Sequence, residues 1–120
     1  MLPAESRMRR SAEFEVTVRR GSRAGRALLT GYLLLRGRGE AQAPLVGFVV
    51  SKAVGNAVVR NKVRRRLRSL LRGYLPTLPG GSLLVVRAHP QAAAARQADL
   101  AVELDLVMER LMRRQVGVQQ

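Results

Sequence analysis

The sequence predicts an α+β fold, a single-domain α/β sandwich in which a small mixed sheet packs against helices. Three observations predict it. The chain has 120 residues, enough for one domain with one modest core. Its apolar fraction of 47% is that of a folded domain and too high for a disordered basic tail. Helical and strand patterns follow one another in the order helix, strand, strand, helix, strand, helix, and one further short strand fits within 22–30. A helix between two strands implies a crossover, and therefore a mixed sheet. No internal repeat or second domain is visible, so residues 1–120 are read as one domain.

The elements follow in order. Residues 1–10, with Pro3 and three arginines, read as a basic, poorly ordered arm. Ser11 is a candidate N-cap for a short helix over 12–20, with Ala12, Phe14 and Val16 facing inward. Gly21 follows in the position that favours a left-handed cap. Residues 22–26 read as loop. The apolar runs 27–35 and 45–51 look like two antiparallel strands joined by a flexible 37–44 connection. In the second run Val46, Phe48 and Val50 share one face, and Gly47, Val49 and Ser51 the other. Residues 56–73 carry the strongest helical pattern. Asn56 can cap it, and Val59, Val63, Leu67, Leu70, Leu71 and Tyr74 form one stripe. Pro76, Pro79, Gly80 and Gly81 punctuate a loop, and Leu83 to Ala88 is a third strand. Residues 91–113 read as a long helix, with Asp99, Glu103 and Asp105 ahead of Arg110, Arg113 and Arg114, the order the helix dipole favours. The termini 1–10 and 114–120 are expected to be flexible.

Charge narrows the function. Lys and Arg number 22 against 8 carboxylates, a formal net charge of +14. A folded domain with that self-repulsion is best explained by a polyanionic partner, nucleic acid before membrane. Twenty of the 22 basic residues are Arg, which forks onto phosphates and stacks on bases, although a GC-rich genome also favours Arg over Lys. There is no Cys and a single His, His89. This excludes a disulfide scaffold, a zinc finger and a thiol nucleophile. His89, before Pro90, reads as a turn residue and not a catalytic base. No apolar run is long enough to span a bilayer, and the N-terminus lacks a secretory h-region, so the expected location is the cytoplasm. Between Glu40 and Asp99 lie 58 residues without a carboxylate. A metal-dependent protein nuclease needs clustered carboxylates, so the chain is expected to bind nucleic acid without cutting it through its own side chains.

The charge is concentrated over 52–72, which holds Lys52, Arg60, Lys62, Arg64, Arg65, Arg66, Arg68 and Arg72 and no acid. At about 100° per residue, Arg60, Arg64, Arg65, Arg68 and Arg72 fall within an arc of roughly 140°, opposite the apolar stripe. Lys62 and Arg66 sit beyond that arc. From Arg60 to Arg72 the row runs roughly 18 Å, enough for several phosphates along one strand. Solvated helix faces usually mix signs, and like charges at i, i+4 cost tenths of a kcal/mol per pair. An acid-free row is therefore useful mainly against a polyanion. A membrane-bound amphipathic helix fits less well, because the stripe is aliphatic, lacks Trp and is flanked by strands that need a core.

The string VGFVVSKAVGNAVVRNKVRRRLR over 46–68 closely resembles the protein subunit of bacterial ribonuclease P, whose signature is an Arg-Asn-Arg core followed by basic residues. The stretches RMRRSAEFEVTVRRG (7–21) and SLLVVRAHP (82–90) extend the resemblance over nearly the whole chain. It implies an α/β sandwich with a left-handed crossover around the basic helix. It also implies an accessory subunit of a ribonucleoprotein endonuclease that removes the 5′ leader of precursor tRNA. In that family the RNA subunit performs the hydrolysis, so no catalytic residue is expected in this chain. Magnesium would be held by the RNA subunit and substrate and not by a dedicated protein site. The partners would be the catalytic RNA and precursor tRNA, with no membrane and no small-molecule substrate.

By the same resemblance Arg60, Asn61, Lys62, Arg64, Arg65 and Arg68 match the basic motif turned toward the catalytic RNA. Phe14, Tyr32, Ser51 and Lys52 match the leader-binding cleft. Lys62 stands where the family usually has Arg, and Val18 where it often has a second aromatic. Phe48 reads as core. Two other classes share the charge: a ribosomal or chaperone-like RNA-binding protein, and a protein nuclease in its own right, which the missing carboxylates oppose.

Overall fold

A computed structural model describes residues 2–36 and 42–119, with 114–119 as helical backbone alone. Four strands, β1 (Ser22–Gly25), β2 (Leu29–Leu34), β3 (Leu45–Val49) and β4 (Leu83–Ala88), form one sheet in the order β1-β2-β4-β3. β1 and β2 form an antiparallel hairpin, closed by the Arg26 N–H donating to Leu29 O at 2.8 Å. β1 is the short strand allowed for within 22–30, and it takes most of the stretch read as loop. β2 runs antiparallel to β4, and β3 runs parallel to it.

The two predicted strands over 27–35 and 45–51 therefore do run in opposite directions, but they are not neighbours. β4 lies between them because Leu83, Leu84, Val85 and Val86 are apolar in succession and all buried. A strand that must bury both faces belongs inside a sheet. Of the connection expected over 37–44, residues 37–41 lie outside the described residues.

Helices cover both faces of this sheet. On one side α2 (Ala57–Leu71) and α3 (Gln97–Gln119) pack Val63, Leu67, Leu100, Leu104 and Leu111 onto Leu29, Leu33, Val46, Leu84 and Val86. On the other, α1 (Ser11–Arg20) sets Phe14 and Val16 over Tyr32, Leu83, Val85 and Met8. The predicted stripe of α2 is the buried one. Its start is capped as expected, with the Val59 N–H donating to Asn56 Oδ1 at 3.0 Å. The far end of α2 is tied to α3 by the Tyr74 hydroxyl, which donates to Asp105. Burial, and then that carboxylate, push the Tyr74 phenol up to about 12.

Several local expectations are corrected. Ser11 is the first residue of α1, and Arg10 occupies the cap position without a side-chain bond. Gly21 is extended (φ −73°, ψ 162°) and not left-handed. Glycine is required there by close approach, since a Cβ would stand 2.5 Å from Thr17 O and 2.9 Å from Leu33 O. Ala12 is exposed, and Thr17 is the α1 residue fully buried, its hydroxyl donating to Glu13 O at 2.6 Å.

The long helix does not begin at 91. Pro90–Ala94 form a 3₁₀ turn, Ala95 is extended, and α3 starts at Gln97. Ala95 O accepts from Arg66 Nη1 at 2.9 Å, and Asp99 Oδ2 accepts the Arg96 N–H at 3.3 Å. These bonds outweigh the helical propensity of the alanine run. The Arg96 guanidinium and N–H hold the Asp99 carboxyl below its usual range.

The arm expected over 1–10 is laid against the sheet edge. Leu2 is 2% exposed, Ser6 and Met8 are buried, and the Met8 N–H donates to Val46 O at 2.9 Å. Arg7 pairs in parallel with Val46 of β3. The flexibility expected over 114–120 falls on residues whose side chains lie outside the description. Among the described residues no helix is long and apolar enough to cross a membrane.

Candidate nucleic-acid interface

α2 presents its cations without neutralisation. Four ion pairs join described residues: Arg26–Glu103, Arg36–Glu13, Arg96–Asp99 and Arg113–Glu109. None involves α2, which fits the absence of acid over its whole length. Asn61, Lys62 and Arg65 are exposed, and Arg60, Arg64 and Arg68 are half-buried along their stems. Asn61 orients the row by accepting from Arg64 Nη1 at 3.2 Å. Asn61, Arg64, Arg65 and Arg68 share one shallow depression on the outer face. Arg60 Nε is buried without a hydrogen-bond partner among the described residues. Arg66, outside the arc, is turned to the Ala95 carbonyl instead.

A second surface wraps the outer edge of β3. There a cavity of about 240 Å³ is lined by Arg7 and Arg9 of the arm, Phe14 of α1, Phe48 of β3, and Arg64 and Arg68 of α2. Phe14 lies directly on Gly47, where a Cβ would meet its Cε1 and Cζ at 2.5 Å. Phe48 packs on the core as expected, yet it also lines this cavity. Sequence reasoning missed Arg7 and Arg9. Their signal was the pair of apolar residues, Leu2 and Met8, inside a stretch otherwise read as an unpacked arm.

The remaining cleft residues divide. Tyr32 is 6% exposed and packed beneath α1 with Met8 and Val85, so its ring is part of the packing and offers no free stacking face. Ser51 and Lys52 are exposed in the turn between β3 and α2, where their carbonyls accept from Val54 N (3.0 Å) and Gly55 N (3.2 Å). Val18 is 42% exposed and shares a depression with Phe14, Glu15 and Arg19. His89 Nε2 lies 2.7 Å from Thr30 Oγ1, and the His89 backbone N–H donates to Leu28 O. Among the described residues no group of three His, Asp or Glu is placed to hold a metal ion.

A family model described as Ribonuclease P matches residues 2–112. The chain belongs to the ribonuclease P protein family. The ribonuclease P protein component of Streptomyces avermitilis is 53% identical, over 93% of this chain and 96% of its own length. That of a Nocardioides species is 50% identical, over 92% and 95%. Membership makes the chain a protein component of bacterial ribonuclease P, an enzyme of tRNA processing, and carries association with the RNase P RNA. The fold agrees. The RNase P protein of Staphylococcus aureus superposes with a TM-score of 0.77 at 22% identity, covering 87% of this chain and 93% of that one. The RNase P protein of Thermotoga maritima gives 0.70 at 20% identity, covering 89% and 96%.

Proposed function

We propose that α2 binds the catalytic RNA of ribonuclease P and that the groove at Phe14 takes the single-stranded 5′ leader of precursor tRNA. The observation that carries the reading is the acid-free row of α2 joined, around the edge of β3, to a part-exposed aromatic ring. The row supplies fixed positive charge to phosphates, with Arg60, Lys62, Arg64, Arg65 and Arg68 as its cations and Asn61 as the group that orients Arg64. Phe14 supplies a π-face to a leader base. Ser51 and Lys52, exposed in the turn between β3 and α2, add a hydroxyl and a cation. Tyr32 supports the groove from below.

In this reading the protein contributes no reacting group. The RNA subunit and substrate hold the magnesium ions and carry out the endonucleolytic step. Protein cations placed along RNA phosphates replace mobile counterions, so the assembled enzyme needs less magnesium. The test is cleavage of precursor tRNA by the RNA subunit at low magnesium, with and without this protein. Stimulation is expected, and its absence sinks the proposal. Arg65→Ala is expected to weaken binding to the RNA subunit and to flatten its salt dependence, by about 0.7–0.9 in the log–log slope per lost phosphate contact.

A further inference from the structure

We propose that the exposed face of α2 seats one unstacked base of the catalytic RNA on the side chain of Val58, beside the amide of Asn61. This rests on the reading of α2 as the surface for that RNA. It adds to the row of cations a contact that phosphates alone cannot use.

Val58 is the residue of α2 that folding does not explain. It is 77% exposed, the most exposed of the large apolar side chains among the described residues. The helix does not need it for packing, because Val63, Leu67 and Leu71 are buried and Val59 packs against the same core. Local structure does not favour it either. A β-branched residue is a poorer helix former than Ala, and the helix dipole favours an acid in the first turn, where α2 has none. Single exposed valines are ordinary on protein surfaces, but this one stands within a binding surface. At about 100° per residue it falls within roughly 60° of Asn61, Lys62, Arg65 and Arg72 around the helix axis. It lines the same depression as Asn61, Arg64, Arg65 and Arg68, and no carboxylate lines it with them.

The chemistry of the occupant follows. A hydrated phosphate gains nothing against two methyl groups, and a base stacked in a duplex hides its faces. An unpaired base turned out of the stack offers an apolar face and an edge of donors and acceptors, the form in which RNA sequence is read. Val58 meets the face. Asn61 is exposed one turn on, and its Oδ1 accepts from Arg64 Nη1 at 3.2 Å. Its amide N–H groups are left for the edge of the base. Arg65, two turns along the same line of the helix, is placed for a neighbouring phosphate. At about 770 Å³ the depression has room for a nucleoside with its phosphate.

The experiment measures the affinity of the full-length protein for the RNA subunit as a function of salt, together with the Tm of the free protein. Val58→Ala is expected to weaken binding roughly fourfold, the size of two methyl groups half withdrawn from water. Its log–log salt slope should equal that of the parent, since no phosphate contact is lost. Its Tm should be no lower, because Val58 lies outside the core and Ala is the better helix former. Val58→Thr keeps the shape but replaces one methyl by a hydroxyl, and it should weaken binding too. Chemical probing of the bases in the complex locates the seat. One unpaired base protected by the parent should become reactive with Val58→Ala and with Asn61→Ala, and the absence of any such base overturns the proposal. If both Val58 variants bind like the parent while Arg65→Ala weakens binding, the seat is wrong and the reading of α2 stands. If Arg65→Ala also binds like the parent, that reading fails and the seat with it. A changed salt slope in Val58→Ala would mean that Val58 only holds the cations in place, which again overturns the seat.

Discussion

Gly47 has no side chain, and the ring of Phe14 occupies the space where one would be. A glycine inside a strand weakens the sheet unless something approaches its backbone closely, and here the approaching group is the aromatic that faces the cavity. Gly47→Ala must push that ring away, because the new methyl would stand 2.5 Å from two of its carbons. Overpacking of this kind costs about 1–3 kcal/mol. Thermal unfolding should show that loss, and the preference for precursor over mature tRNA should fall with it. A variant as stable and as selective as the parent would remove Phe14 from the groove. The two aromatics that the resemblance paired have different fates for a reason of strand parity. Leu29 and Leu33 of β2 face α2 and α3, so Tyr32, between them in alternation, faces α1 and is buried under it. Which face α1 covers is a tertiary fact that no local pattern states. The same holds for Arg7 and Arg9, which line the cavity because Leu2 and Met8 of the same arm are buried against residues distant in sequence.

Elements defined by one strong local pattern were legible almost to the residue. β4 is a short apolar run between loops, and α2 combines an Asn cap with an unbroken stripe. Elements decided by distant partners were not. The start of α3 depends on Arg66, 29 residues from the carbonyl it holds. The separation of β2 from β3 depends on a strand nearly forty residues further on. Glu103 is a second such long-range tie, 75 residues from Leu28, whose N–H it accepts at 3.0 Å while pairing with Arg26. It joins α3 to the turn of the β1–β2 hairpin. Burial alone would raise its carboxyl, but the Arg26 guanidinium and the Leu28 N–H together hold it below the ordinary 4.5. A carboxyl depressed on folding adds stability above its unfolded value, and that stability is lost as pH falls through the folded one. Glu103→Gln should therefore destabilise the protein at pH 7, by about 1–2 kcal/mol after allowing for the partial exposure of Arg26. Denaturant titrations of parent and variant should converge as pH drops below the carboxylate range. A gap that stays constant with pH would mean that shape and not charge makes this joint.

At the scale of the whole molecule the net charge of +14 acts on everything at once. The molecule measures 39 × 26 × 25 Å. At 0.01 M salt the Debye length of about 30 Å approaches that size, whereas at 0.15 M it is about 8 Å. Its cations therefore repel one another across the whole fold at low salt and only locally at physiological salt. The acid-free α2 concentrates this repulsion in one helix, whose buried stripe must hold it down. Two consequences have opposite signs. Stability of the free protein should rise with salt, by several degrees in Tm between 0.01 and 0.15 M if screening restores about 1–2 kcal/mol. Affinity for the RNA subunit should fall over the same range, because salt competes for the released counterions. Melting curves and binding titrations in the same buffers would show the crossing trends. A Tm that is flat or falling with salt would mean that the charges are already neutralised within the fold, contrary to an α2 that forms no ion pair among the described residues. Sulfate and chloride compared at equal ionic strength refine the test. Sulfate stabilises folded proteins generally through its exclusion from their surface, so the informative comparison is between parent and variant: if the arginine-lined cavity gathers sulfate, the excess Tm in sulfate over chloride should shrink in Arg7→Gln with Arg9→Gln.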